Sequence, residues 1–144
     1  MIKTFRGRLE NDTTATIRLA TNTGMKGYRI KKFQALPTSG SKDIEGVLKL
    51  YSVENDEVST PSTDINFDDP LLLAAGIVSD GHSHEIGWSS AIVFDNVTFN
   101  QDIFITWKCH DKVEEINYYI ELEQTNLDLS EATVATLKDM RGSN

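Results

Sequence analysis

The sequence predicts an all-β fold: a single antiparallel β-sandwich, jelly-roll-like connections being one arrangement that fits, with a short C-terminal helix or an extended tail. Two observations favour it: apolar and polar residues alternate in several runs, and Gly, Asn and Pro separate these runs at short intervals. A length of 144 residues suits one domain. We therefore expect residues 1–144 to form one sandwich, with a tail that begins at about residue 130.

Alternation with period two is clearest in four segments. Because alternate residues of a strand share a face, each apolar set predicts one buried face. The four sets are Ala15, Ile17 and Leu19; then Ile86, Trp88, Ser90, Ile92 and Phe94; then Ile103, Ile105, Trp107 and Cys109; and then Ile116, Tyr118, Ile120 and Leu122.

Two other segments, residues 47–53 and 71–78, are apolar on both faces. Such strands suit the centre of a covered sheet or a subunit interface. A further strand, from Tyr28 to Leu36, changes the parity of its apolar positions at Lys31 and Lys32. A β-bulge at that point would keep one face directed inward.

The C-terminus carries Val134, Leu137 and Met140 at every third position, which predicts a helix capped by Ser130 and stopped at Gly142. The β-forming residues in the same stretch also fit an extended tail that adds a strand to a neighbour. The tail and the long acidic connection of residues 55–70 are the expected subunit contacts. The candidate interface residues are Asp64, Asn66, Phe67, Leu137, Met140 and Arg141.

Charge and composition limit the classes of partner that the chain is expected to bind. The chain has 14 Lys+Arg against 22 Asp+Glu, a net charge of -8, which argues against a nucleic-acid partner. Two local basic clusters, residues 3–8 and 26–32, are interpreted as solvated strand faces. The longest apolar run, residues 71–78, is too short for a membrane helix, so no membrane partner is expected. A single cysteine and an N-terminus without a signal-peptide core predict folding in a reducing compartment.

Three histidines are the weak candidates for a metal site. His82 and His84 project from one side of an extended segment, and His110 would complete a zinc site if it came near them; Glu85 would then be a general base. A histidine in a polar turn more commonly has no ligand role. The acidic residues 64–69 resemble the start of a calcium loop but lack its glycine and its bidentate glutamate. We therefore expect no metal and no cofactor.

Catalytic patterns are absent from the sequence. Cys109 alternates in phase with Trp107, which predicts a buried, inert thiol, and no nucleophile elbow or phosphate-binding glycine loop occurs. The protein is therefore expected not to be an enzyme. The alternative from another class is a carbohydrate-binding β-sandwich in which Trp88, Trp107 or Tyr119 stacks on a sugar, although the phase of both tryptophans favours the core. A metallohydrolase that uses the three histidines ranks third.

Several strings spread over most of the chain carry a resemblance to a known group. They are IRLATNTG (17–24), GYRI (27–30), KF (32–33), FDN (94–96), FNQDI (99–103), NYY (117–119), ELE (121–123) and VATLKDMR (134–141). In these strings the chain resembles small virion structural proteins of tailed bacteriophages of marine bacteria.

The resemblance implies a non-enzymatic protein that is made in the host cytoplasm and located in the virion. The role it implies is that of a capsid decoration or cement protein. Its partners would be other virion proteins, the major capsid protein first, together with further copies of itself in a homo-oligomer. A neck, tail or fibre-adaptor position would use the same kind of contact and is the alternative within this class.

Overall fold

The computed structural model describes residues 1–39, 44–79, 88–94, 97–110 and 113–141. These residues form eight strands and two helices, in the order β1 (Ile2–Leu9), β2 (Thr13–Ile17), β3 (Lys26–Pro37), β4 (Glu45–Tyr51), α1 (Asp56–Ser59), β5 (Leu72–Ser79), β6 (Trp88–Val93), β7 (Ile103–Cys109), β8 (Ile116–Asn126) and α2 (Leu129–Arg141). The predicted all-β, sandwich-like fold is confirmed.

The strands form two antiparallel sheets. The three-stranded sheet has the order β1-β8-β3, and the five-stranded sheet has the order β2-β7-β4-β5-β6. Strands β4, β5 and β6 follow one another as a meander, and β7 then lies between β2 and β4. Strand β8 pairs with both β1 and β3, so the first and third strands of the chain flank the last.

The main core lies between the two sheets. Its fully buried residues alternate along the strands, as predicted for β7 and β8: Leu48, Leu50, Ile105 and Trp107 come from the five-stranded sheet, and Ile30, Phe33, Ile120 and Leu122 from the three-stranded sheet. Burial of each large aliphatic side chain contributes about 1.5–3 kcal/mol, so these inner faces hold the sheets together.

The predicted β-bulge is confirmed. The register of β3 against β8 shifts between Ile30 and Lys32, where Ile30 pairs with Leu122 and Phe33 pairs with Ile120. One extra residue in β3 therefore places both Ile30 and Phe33 on the inner face despite their different parity.

Both faces of the central strand β4 are covered, as its apolar sequence predicts. Residues 52–71, which connect β4 to β5 and are called the acidic loop below, lie over the outer face of the five-stranded sheet. Under this loop a second buried cluster forms from Tyr51, Val58, Leu72 and Ala75. The loop also contains the short helix α1, whose N-cap Asn55 accepts hydrogen bonds from the backbone of Glu57 and Val58.

The prediction that Ile92 and Phe94 lie on the inner face of β6 is wrong. Ile92 is 48% exposed, whereas its neighbour Val93 packs against the main core. Val93 pairs with the inward-facing Ala74, so Ile92 and Phe94 belong to the outer face. Three consecutive apolar residues, 92–94, satisfy either parity, and only the pairing with β5 decides between them.

The C-terminal segment is a helix, so the alternative of an extended tail is wrong. Its cap is Asp128 and not Ser130: Asp128 Oδ1 accepts from the Glu131 backbone N at 2.8 Å, and Glu131 Oε1 accepts from the Asp128 N at 3.3 Å. This reciprocal pair is a capping box. The packed face consists of Ala132 and Ala135, because small side chains allow close approach to Leu127 and Met25.

Candidate interaction surfaces

A buried lysine anchors the acidic loop to the outer face of the five-stranded sheet. The Lys49 side chain is fully buried. Its Nζ donates hydrogen bonds to Glu57 Oε2 at 2.8 Å, to the Asp64 carbonyl oxygen at 2.6 Å and to Ser62 Oγ at 3.4 Å. A buried ammonium requires such partners, and here all of them come from the loop. Lys49 therefore fixes the path of the loop across the sheet.

The electrostatics of this anchor favour an ion pair. Desolvation by burial raises the pKa of Glu57, but the hydrogen bonds from Lys49 and Ser62 outweigh it and hold the pKa below its ordinary value. Beside this pair, burial is also the main cause that raises the pKa of Tyr51, whose ring centroid lies 5.7 Å from Lys49 Nζ. Glu57 stays ionised and Tyr51 stays neutral at physiological pH.

The tip of the acidic loop presents an aromatic side chain. Phe67 is 54% exposed and meets the Phe94 ring edge-on, with centroids 5.1 Å apart. Asn66 Oδ1 accepts from the Asp68 backbone N at 3.0 Å, and Asp69 Oδ1 accepts from the Leu71 N at 2.9 Å. These local turns set the position of Phe67. Of the predicted interface residues, the structure brings Asp64, Asn66 and Phe67 together on this loop.

The remaining predicted interface residues lie on α2. Leu137 is 49% exposed, beside Leu129 at 73% and Val134 at 67%. Met140 and Arg141 fall in the last turn of α2, but their side chains lie outside the described part of the structure. An open groove of about 700 Å³ runs beside the helix, and its lining includes Arg29, Leu127, Val134, Ala135 and Lys138. The helix thus offers an aliphatic surface next to two cations.

The buried side-chain amide of Asn100 holds α2 against the sandwich. The Asn100 side chain is fully buried, and its Nδ2 lies 3.0 Å from the Gly24 carbonyl oxygen, 3.2 Å from the Ala132 carbonyl oxygen and 2.8 Å from Thr136 Oγ1. It therefore ties α2 to the turn before β3. In the sequence Asn100 reads as an ordinary turn residue, and its docking role becomes visible only once α2 is placed against that turn.

The outer face of the three-stranded sheet carries Tyr119 at its centre. The register places Tyr119 between Arg6 on β1 and Gln34 on β3. Its hydroxyl donates to Glu121 Oε2 at 2.9 Å. This hydrogen bond is the main cause that raises the pKa of Tyr119, because ionisation would remove the donated proton.

The two basic clusters of the sequence lie on this same sheet. Strands β1 and β3 carry seven of the 14 Lys and Arg residues, and β8 between them carries two acidic residues, Glu121 and Glu123. Taken separately, the clusters have the pattern of solvated strand faces. By register, Arg6, Arg8, Arg29 and Lys32 lie on the outward side together with Tyr119, and with Lys31 at the bulge they form one surface, called the basic face below. Lys3 and Lys26 have the parity of the buried Leu122 and do not belong to it.

The predicted metal ligands are not brought together among the described residues. His82, His84 and Glu85 lie outside the described ranges. His110 is at the end of β7, where its backbone N donates to the Glu45 carbonyl oxygen at 2.8 Å. In the parts of the chain that are described, no group of three or more His, Cys, Asp or Glu residues is placed to hold a metal ion.

Cys109 and Trp107 belong to the core. Cys109 is buried, and burial raises the pKa of its thiol. Trp107 is fully buried and its Nε1 donates to the Glu114 carbonyl oxygen at 2.9 Å. Trp107 is therefore not a sugar platform, whereas the Trp88 side chain is outside the described part. None of the described helices is long and apolar enough to cross a membrane.

Comparison with known proteins gives structural matches, and the one described below has low similarity. No protein-family model matches the chain, and no curated protein sequence does. A solved structure described as "Bacillus endospore appendages form a novel family of disulfide-linked pili" is 10% identical with a TM-score of 0.41, over 89% of this chain and 88% of that chain. No function is transferred at this level of similarity.

Proposed function

We propose that the protein is a non-enzymatic structural protein of a bacteriophage virion and that it works through contacts between subunits, as a capsid decoration or cement protein. The virion assignment comes from the sequence resemblance described above. Its partners in this proposal are the major capsid protein and further copies of the chain. A neck, tail or fibre-adaptor position would use the same surfaces, and imaging of the labelled protein in the virion separates these positions.

The observation that carries the proposal is the outward aliphatic surface of α2. Leu129, Val134 and Leu137 stay exposed although the helix is capped by Asp128 and docked by Asn100. Aliphatic side chains on a fixed helix lose little conformational entropy on binding, and their burial in a contact is favourable. This arrangement supports adhesion to a partner.

The test is the binding of purified protein to capsids assembled without it. We expect cosedimentation at micromolar concentration, and we expect Val134→Asp to weaken it at least about tenfold, because a carboxylate would be buried in the contact. Val113→Asp is the matched control, since Val113 is 80% exposed and lies before β8, whereas α2 follows that strand.

Two outcomes would contradict the proposal. One is a strictly monomeric protein that mass spectrometry does not find in purified virions. The other is capsid binding that both valine variants reduce equally. Unchanged melting temperatures of the two variants ensure that the comparison reports binding and not folding.

One observation favours a second candidate, a carbohydrate-binding module. Tyr119 is half-buried on an open sheet face and has Arg6 and Gln34 as polar neighbours, the combination of ring and hydrogen-bonding groups that sugars use. Glycan binding that Tyr119→Ala abolishes, without self-association or capsid binding, would favour this function over assembly.

A further inference from the structure

Charge is separated between the two sides of the sandwich. The basic face holds five of the 14 Lys and Arg residues of a chain whose net charge is -8. The acidic loop contains six acidic residues, Glu54, Asp56, Glu57, Asp64, Asp68 and Asp69, and no basic residue. Side chains of both surfaces are exposed: Arg6, Lys31 and Lys32 on the first, and Glu54, Asp64 and Asp68 on the second.

The two surfaces point in opposite directions. In β4 the inward residues Leu48 and Leu50 belong to the main core, whereas Lys49 between them contacts the loop. The loop therefore lies outside the five-stranded sheet. In β8, Ile120 faces the same core and its neighbours Tyr119 and Glu121 lie outside the three-stranded sheet. Because the whole sandwich separates the surfaces, they cannot meet within one molecule.

We propose that the basic face binds the acidic loop of a second copy of the chain in a head-to-tail contact. This inference rests on the proposed assembly function and assigns a second copy of the chain to the basic face and the acidic loop, which are separate from the aliphatic surface of α2. Two different patches meet in such a contact, which makes it heterologous, so repeated contacts produce a ring or an open chain of subunits.

Charge complementarity favours a second copy as the occupant. The loop supplies carboxylates in a segment without a cation of its own, and Lys49 neutralises only Glu57. On the other surface, Lys32 and Arg29 stand opposite Glu121 and Glu123, and Arg8 pairs with Glu115 at 3.3 Å. The register partner of Arg6 is Tyr119, and Lys31 at the bulge is not placed opposite an acidic residue. Opposite potentials of this kind steer association and fix its orientation.

The anchoring of the loop lowers the cost of the contact. Lys49 holds the Glu57 carboxylate and the Asp64 backbone, and local turns hold residues 66–71, so the backbone that carries the acidic side chains and Phe67 is ordered before binding. A pre-ordered segment binds more tightly than a flexible one of the same composition. Phe67, 54% exposed beside Asp68, adds an apolar group to the acidic surface, where it can pack on Tyr119 and the aliphatic stems of the lysines.

Sedimentation velocity on the full chain tests the proposal by charge reversal. We expect self-association that weakens at least about tenfold between 50 mM and 500 mM NaCl, because salt screens exposed charges. Arg6→Glu with Lys31→Glu on the basic face should abolish it, and so should Glu54→Lys with Asp68→Lys on the loop. The chain that carries all four substitutions should associate again, since both surfaces are then reversed.

The alternatives give different results. A symmetric contact that does not use the loop would survive the loop reversal and would overturn this inference, as would binding of duplex DNA by the basic face without self-association. Capsid binding by a wild-type chain that stays monomeric would also overturn it and leave the proposed assembly function standing. Absence of both self-association and capsid binding would end both proposals.

Discussion

Lys49 Nζ lies 2.8 Å from Glu57 Oε2, at the boundary between the five-stranded sheet and the loop that covers it. The lysine is fully buried, whereas the Glu57 side chain remains 34% exposed. The pair therefore joins the interior of the sheet to the surface that we propose as one half of the subunit contact. A change in this pair should act on the position of the loop before it acts on the sandwich core.

The substitution Lys49→Met tests this anchor. It leaves Glu57 without its cation and the Asp64 carbonyl oxygen without its donor, so we expect a loss of about 1–3 kcal/mol in the free energy of unfolding, at the lower end because Glu57 keeps part of its hydration. Urea unfolding measures the loss. Lys108→Met is the control, because Lys108 is partly exposed and its contact with Asp12 is 3.6 Å long. An equal effect of both variants would contradict the anchoring role.

The same pair makes stability depend on pH. The pKa of Glu57 is lowered in the folded protein from its ordinary value of 4.5, so its contribution is fully present above that value and disappears as pH falls through the folded pKa. Glu57→Gln should therefore be less stable than wild type at pH 7, and the difference should shrink as pH falls below 4.5. Urea unfolding across this range measures the difference. A difference that stays constant with pH would show that Glu57 does not act as an ion.

The predictions made from sequence are correct where the pattern within a single strand is enough to identify its inner face. Alternation in β7 and β8 identifies the residues of the inner face, and the parity change at Lys31 identifies the bulge, because both depend only on which face a residue occupies. The inner face of β6 fails because residues 92–94 fit either parity and pairing with β5 decides. The local pattern therefore identifies the inward face of a strand when its apolar residues fit one parity only. When they fit both parities, the pairing with the neighbouring strand determines the inward face.

The candidate surfaces depend on relations that no local pattern contains. Lys49 sits in a strand that is apolar on both sides, and its partners belong to a loop whose path is set only when it packs on the sheet. The basic face exists because β8, late in the chain, lies between β1 and β3. Long-range packing is what the sequence lacks in both cases: the path of the loop for Lys49, and the strand order for the clusters at residues 3–8 and 26–32, which look unrelated without it.

Asn100→Ala should release α2 from the sandwich. The change removes the two Nδ2 protons that Asn100 shares among Gly24, Ala132 and Thr136, and the loss of buried hydrogen bonds costs about 1–3 kcal/mol. Hydrogen exchange measures this directly, with faster exchange expected in α2 than in the strands. Asn22→Ala, at an exposed position, is the control. Uniform destabilisation of the whole chain, without selective opening of α2, would contradict the docking role.

The start of α2 can be tested with two neighbouring residues. Asp128 Oδ1 accepts from the Glu131 N, so Asp128→Ala should fray the first turn and speed amide exchange there. Ser130→Ala should leave the exchange unchanged, because Ser130 lies inside the helix and is exposed. A larger increase in amide exchange for Ser130→Ala than for Asp128→Ala would show that Ser130 is the cap.

Gly46 of β4 packs closely against Trp107 and Lys108 of β7. A Cβ at this position would lie 2.7 Å from the Lys108 carbonyl oxygen and would also meet the Trp107 ring, which is fully buried. Backbone cannot give way as a side chain can, so Gly46→Ala should destabilise the protein by about 1–3 kcal/mol. At Gly7 the nearest group to an added Cβ is the Tyr118 hydroxyl, at 2.6 Å, and this half-buried side chain can turn aside. Gly7→Ala should therefore cost less in the same urea unfolding experiment, and an equal cost would show that β4 and β7 can separate to admit a methyl group.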